Sequence, residues 1–184
     1  MKIASFNKVV TVAAVFAVAG LVIGASGCDT QQNKNSGKQE QKPEEAFAVG
    51  QPVRVGDVQW TVTNPKVLGA TLNSTDGFTA PKTAQGGGKF VQVTYKVENL
   101  GQKQKTTTGA DLQDTQKRQF KAITDGFSYQ PQNRQLNVLS NLNPNVAQEF
   151  DLIYEVPADA SGFQARVGNL ESFKNEVKLV NLGI

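Results

Sequence analysis

Val91, Val93, Tyr95 and Val97 alternate strictly with Gln92, Thr94, Lys96 and Glu98, and no other stretch constrains the fold as tightly. Successive side chains of a strand point to opposite faces, so this alternation describes a strand with one face in a core and the other towards water. The flanking sequence repeats the pattern. Val53 and Val55 flank Arg54, and Val58, Trp60 and Val62 alternate with Gln59, Thr61 and Thr63. Pro65 is expected to break that run, which resumes over residues 67–72. Phe150, Leu152, Tyr154 and Val156 alternate with Glu149, Asp151 and Glu155, Ile153 being the exception.

Shorter strands are expected over residues 112–123, with Leu112, Phe120 and Ile123 pointing inward, and over residues 165–167 and 177–182. Residues 136–142 are apolar without a clean period. Asn99-Leu100-Gly101, Asp125-Gly126 and Asn143-Pro144-Asn145 mark turns, and the other prolines are placed at turns, strand ends or the N-terminal segment. No sustained helical period follows residue 45. Short strands at intervals of about 8–15 residues with turn punctuation predict an all-β chain folded as an antiparallel β-sandwich, with Trp60 central to its core.

The N-terminus carries a different pattern. Lys2 and Lys8 precede an uncharged run over residues 9–23, followed by Gly24, Ala25, Ser26, Gly27 and then Cys28. Basic start, apolar core and small-residue end are the plan of a secretory signal. Small residues against a lone cysteine resemble the bacterial lipobox, with Ala25 where that motif usually has Leu. The resemblance implies a diacylglyceryl group on the Cys28 sulfur and cleavage between Gly27 and Cys28. An uncleaved anchor is the competing reading, since residues 9–25 only just reach the about 17–25 residues that span hydrocarbon. One acyl chain gives marginal membrane binding and two or three a stable attachment.

Residues 1–27 are thus read as a lipoprotein signal peptide, 28–46 as a disordered polar tether and 47–184 as the globular domain. Residues 29–45 hold one Pro, one Gly and otherwise polar or charged side chains until the domain begins, too little apolar surface to offset chain entropy. With the signal's Lys2 and Lys8 removed, 19 Lys and Arg become 17 against 16 Asp and Glu, so the basic pI of the full chain is no sign of a nucleic-acid partner. Once Cys28 is acylated no internal disulfide can form, and the core must hold the fold unaided.

The order of motifs now becomes specific: Val55-Gly56-Asp57, Trp60-Thr61-Val62-Thr63, the strand ending in Glu98-Asn99, Leu112-Gln113-Asp114, Tyr129, Leu142-Asn143-Pro144, and the strand ending in Val156-Pro157. This resembles the telokin-like, immunoglobulin-fold domain of unknown function found in bacterial lipoproteins, over about residues 47–182. The resemblance implies an immunoglobulin-like sandwich and an envelope location, and no reaction. Where that family has an acidic residue followed by Gly, this chain has Asp114-Thr115-Gln116-Lys117-Arg118.

The residue inventory narrows the chemistry. The chain contains no His, its single Cys is Cys28 and its single Met is Met1. His-based acid–base catalysis, the usual hydrolytic triads and soft-metal sites lack their residues. Gly86-Gly87-Gly88-Lys89 is followed by Phe90 and a strand, whereas a phosphate loop needs Ser or Thr and a helix. Asp111, Asp114 and Asp125 match no calcium-loop spacing and read as solvated loop acids. No cofactor or metal is expected.

The expected function is that of a lipid-anchored, non-enzymatic module on the exported face of a cell membrane, extracellular or periplasmic. Its domain is expected to bind a protein or an envelope polymer. Loops on a rigid sandwich commonly carry binding, and residues 73–88 and 124–135, with Phe127, Tyr129 and Arg134, are the candidate surface. A structural spacer without a ligand of its own and a hydrolase using carboxylates alone are the alternatives.

Overall fold

The structure, a computed structural model, describes residues 46–135, 140–171 and 176–184. The expected signal peptide, the tether up to residue 45, and Gly27 and Cys28 lie outside the described residues, as do positions 136–139 of the aperiodic apolar stretch. In chain order the strands are β1 (Ala46–Ala48), β2 (Pro52–Val55), β3 (Val58–Gly69), β4 (Thr71–Leu72), β5 (Lys82–Thr83), β6 (Lys89–Asn99) and β7 (Lys105–Thr106). They continue as β8 (Asp111–Gln113), β9 (Gln119–Phe120), β10 (Asn141–Leu142), β11 (Ala147–Val156), β12 (Gln164–Gly168) and β13 (Val177–Asn181). The helical elements among the described residues are three short 3₁₀ turns.

Two sheets form the sandwich. One has the order β11-β6-β3-β2, the other β1-β13-β12-β8-β9. All pairs are antiparallel except β1 with β13, which run parallel with Phe47 opposite Val180. The long central strand β6 pairs with β11 along one side, Tyr95 opposite Phe150, and with β3 along the other, Val62 opposite Tyr95. The inward residues expected from the alternation, Val91, Val93, Tyr95 and Val97, are fully buried in one core with Val53, Val55, Trp60, Phe150, Leu152 and Tyr154. Leu112, Ala165, Val167 and Val180 close that core from the second sheet. Each such aliphatic or aromatic side chain contributes about 1.5–3 kcal/mol on leaving water, which is how the domain stands without a disulfide.

Polar groups inside this core are paired. Trp60 Nε1 donates to the Gly168 carbonyl oxygen at 2.9 Å, linking the two sheets. Its ring meets Tyr95 edge-on at 6.2 Å, and Tyr95 stacks on Phe150 at 5.9 Å. The Tyr95 and Tyr154 hydroxyls lie 2.9 Å apart, and Tyr154 donates to the Ala110 carbonyl at 2.7 Å. Burial pushes both phenols up from their ordinary values.

Two expectations are corrected. Pro65 does not end its strand: β3 continues to Gly69. The register slips between Thr63 and Lys66, so Asn64 and Pro65 form a bulge, with Asn64 at φ 48°. A bulge needs no ladder N–H from the proline. Second, Asp114 is not a solvated loop acid. Its side chain is fully buried and ion-paired to Arg118 Nε at 2.6 Å. Burial alone would raise the Asp114 carboxyl, but the Arg118 side chain and the backbone N–H groups of Arg118 and Gln116 outweigh it and hold the carboxyl below its usual range. Asp125 remains a partly exposed turn acid, as expected, and is tied to Lys82 at 2.7 Å.

The Asp114 turn has a second feature. Lys117 occupies φ 65° there, the left-handed region where a Cβ is strained. We expect Lys117→Gly to raise stability by about 0.5–1 kcal/mol, measured as a higher urea midpoint at unchanged slope; an unchanged or lower midpoint contradicts this. The three-glycine stretch has a local explanation too. Gly86 and Gly87 take positive φ, and a Cβ on Gly88 would stand 2.6 Å from the Val156 carbonyl oxygen. The glycines let the chain turn tightly against β11 before entering β6.

Candidate functional site

The outer face of the β11-β6-β3-β2 sheet is not bare. Phe90 and Ile153 lie on the polar phase of their strands, and both are buried in a second, smaller cluster with Leu72 and Ala84. Leu68, Ile123 and Tyr129 pack against it. Residues 70–88 and 122–135 therefore form a layer over this sheet. The free side of β11 is engaged as well: Ile123 N–H donates to the Ile153 carbonyl at 2.8 Å, and Ala122 and Gln135 bridge to Tyr154 and Asp151.

The two candidate segments are joined into one surface. Thr75 N–H donates to the Ser128 carbonyl at 3.0 Å, and its hydroxyl donates to the Gln130 carbonyl at 2.9 Å. Tyr129 donates its hydroxyl proton to the Ala80 carbonyl at 3.2 Å, and the Lys82–Asp125 ion pair adds a further tie. At the tip, the Asp76 carboxylate accepts from the Ser74 hydroxyl, from Thr79 Oγ1 at 2.6 Å, and from the N–H groups of Thr79 and Phe78 at 2.8 Å. These donors, the Ser74 and Thr79 hydroxyls foremost, hold the Asp76 carboxyl well below the usual carboxylate range. A turn fixed in this way presents Phe78, which is 97% exposed.

The three residues singled out in the sequence fall on this layer with different surroundings. Phe127 lies in the 3₁₀ turn Gly126–Tyr129 and is 57% exposed. Tyr129 is partly buried and holds the layer to its sheet. Arg134 pairs with Glu149 of β11. Phe78 lies within the candidate loop 73–88 but is not singled out by the sequence, because an aromatic in a Gly- and Thr-rich loop has no period to reveal its direction.

Phe127 stands between two depressions. A cleft of about 400 Å³ opens beside the β11 edge, where residues 121–124 cross from the second sheet. Ala110, Ala122, Leu152 and Ile153 form its apolar wall, and Asp111, Lys121 and Asp151 bring charge to it. A second depression of about 330 Å³ lies on the other side, lined by Thr75, Asp76, Pro131 and Gln132. Asp151 is buried, 6% exposed, and accepts from Thr94 Oγ1 at 2.6 Å and Gln92 Nε2 at 2.7 Å. Among the described residues no three His, Cys, Asp or Glu side chains gather to hold a metal ion, and no helix is long and apolar enough to cross a membrane.

Fold and surface together define a β-sandwich domain with one loop-covered sheet and a cleft at its edge. The chain belongs to the family described as a domain of unknown function, DUF4352, which matches residues 47–177. No curated protein matches it. A conserved hypothetical protein from Bacillus anthracis is similar with a TM-score of 0.56 and 13% identity, over 77% of this chain and 99% of that one. The ycdA protein of Bacillus subtilis, described as a candidate lipoprotein, has a TM-score of 0.51 and 13% identity, over 72% of this chain and 39% of that one. MPT63, a secreted protein from Mycobacterium tuberculosis, has a TM-score of 0.50 and 10% identity, over 74% of this chain and 98% of that one. At such identities the likeness is one of fold.

Proposed function

We propose that this chain is a lipid-anchored, exported module that binds a protein or envelope polymer through its joined loop layer, without catalysis. The observation that carries the reading is the fixed presentation of Phe78 and Phe127 on two segments locked to each other and to the sheet below. Water-exposed aromatics on an ordered surface are the side chains that interfaces favour. The signal-like N-terminus ending in Cys28, and neighbours described as a secreted protein and a candidate lipoprotein, support the location.

One observation favours a different reading. Asp111 and Asp151 share the cleft, as a hydrolase using carboxylates alone would require. Asp151 is engaged by two hydrogen-bond donors, an arrangement suited to holding a carboxylate in place and not to delivering a proton.

Two experiments test the proposal. Cross-linking in intact envelopes followed by purification is expected to yield one stoichiometric partner, lost in the double variant Phe78→Ser/Phe127→Ser while the thermal midpoint is retained. Repeated absence of a partner supports the spacer reading instead. Cys28→Ser is expected to leave the signal uncut and to abolish incorporation of labelled fatty acid. A variant cut at the same place and still membrane-bound contradicts lipidation.

A further inference from the structure

The cleft beside Phe127 carries two carboxylates that no ion pair among the described residues neutralises. A buried carboxylate is ordinarily paired with a cation or saturated with donors. Two other carboxylates of this face have cationic partners, Asp125 with Lys82 and Glu149 with Arg134, while Asp76 is saturated by hydroxyl and N–H donors. Asp151 receives one hydrogen bond on each oxygen, both from uncharged donors, while a carboxylate offers about four acceptor positions. Neither Asp151 nor Asp111 forms an ion pair among the described residues; Arg134, paired with Glu149, acts on Asp151 only from beyond ion-pair distance. Lys121, the cation of the cleft lining, is exposed, so the two acids outnumber it within the cleft. The remaining wall is mostly apolar, with Thr108, Thr124 and Gln130 among it, and Phe127 places an aromatic ring at the rim. A volume of about 400 Å³ lies near the lower end of the range for small-ligand sites.

An apolar wall, a ring at the mouth and carboxylates within match a ligand with an apolar stem and a positive head. The stem covers the alanine, leucine and isoleucine surface, the head meets Asp111 and Asp151, and an aromatic face attracts the same cation. We infer that the cleft is a binding site for a lysine or arginine side chain presented by a partner polypeptide, on the loop surface assigned above. The inference rests on that surface being a binding face, and it names the chemistry the partner brings.

The test titrates the full chain, ¹⁵N-labelled, with three short synthetic peptides of the same sequence whose central residue is lysine, arginine or norleucine. The lysine and arginine peptides are expected to shift the amide signals of residues 108–111, 121–127 and 151–153 saturably. Norleucine in their place is expected to weaken binding by about ten-fold or more, the loss of a charge-assisted hydrogen bond. Asp151→Asn and Asp111→Asn, each checked for an unchanged melting temperature, are expected to do the same to the lysine peptide. Asp111→Asn keeps the test decisive should Asp151→Asn disturb the Thr94 and Gln92 bonds. No saturable shift, or equal binding of the norleucine peptide, overturns the inference. So does an envelope partner that is lost on Phe127→Ser yet retained by both asparagine variants, a result that leaves the loop surface itself standing.

Discussion

Trp60→Ala is expected to lower the stability of the domain by about 3–5 kcal/mol, the range for removing a large buried aromatic. The size follows from what the indole does. It fills the middle of the core, meets the Tyr95 ring edge-on, and through Nε1 satisfies the Gly168 carbonyl of the facing sheet. Alanine would leave a cavity and an unpartnered carbonyl together. Since a domain of this size has a net stability of about 5–15 kcal/mol, the variant should unfold at a much lower urea concentration, followed by circular dichroism. Trp60→Phe separates the two terms: it keeps an aromatic ring beside Tyr95 and loses the hydrogen bond, at an expected cost of about 1–3 kcal/mol. A loss below about 1 kcal/mol for Trp60→Ala would be incompatible with the packing described.

Asn99→Ala is expected to be nearly as damaging, at about 3 kcal/mol, because several main-chain groups lose their partner at once. The fully buried Asn99 side chain donates to the Lys103 and Leu142 carbonyls at 2.8 and 2.9 Å and accepts from Gly101 N–H at 3.0 Å. It thereby closes the turn after β6 and ties it to β10. Its own backbone receives Asn145 N–H and reaches the Val146 carbonyl, so three segments meet at this residue. Asn99→Asp should be destabilising as well, since a carboxylate cannot donate to either carbonyl. Amide exchange of residues 100–106 should accelerate in both variants; protection equal to wild type would contradict the role given to this side chain.

The main core was legible because its strands are long and one-sided. β6 and β11 pair over ten residues, and period-two alternation over that length leaves little freedom in register. The second cluster was not legible as a cluster, although one of its members was visible as an anomaly. Ile153 broke the alternation of its strand; it and Phe90 both face the loop layer. Composition alone hides such a layer, because Thr, Gly, Ala and Pro in residues 73–88 carry no period. The ribbon of β7 with β10 escaped for another reason: each strand has two residues, too few to alternate. Asp114 misled because a short acidic stretch before a turn is usually solvated, and only the fold brings Arg118 back over it. Of the candidate surface, the sequence offered the two segments through their turn residues. Their union depends on Thr75, Tyr129 and Lys82 meeting partners some fifty residues away, which no local pattern encodes.

The parallel pairing of β1 with β13 gives the domain a direction. β1 belongs to the sheet that lies across the core from the loop layer, so the chain enters at Ala46 on one side while Phe78 and Phe127 project from the other. Two stacked sheets, spaced about 10 Å apart, separate the point of entry from the aromatic tips. A partner seated on those tips therefore meets the domain on the side opposite Ala46.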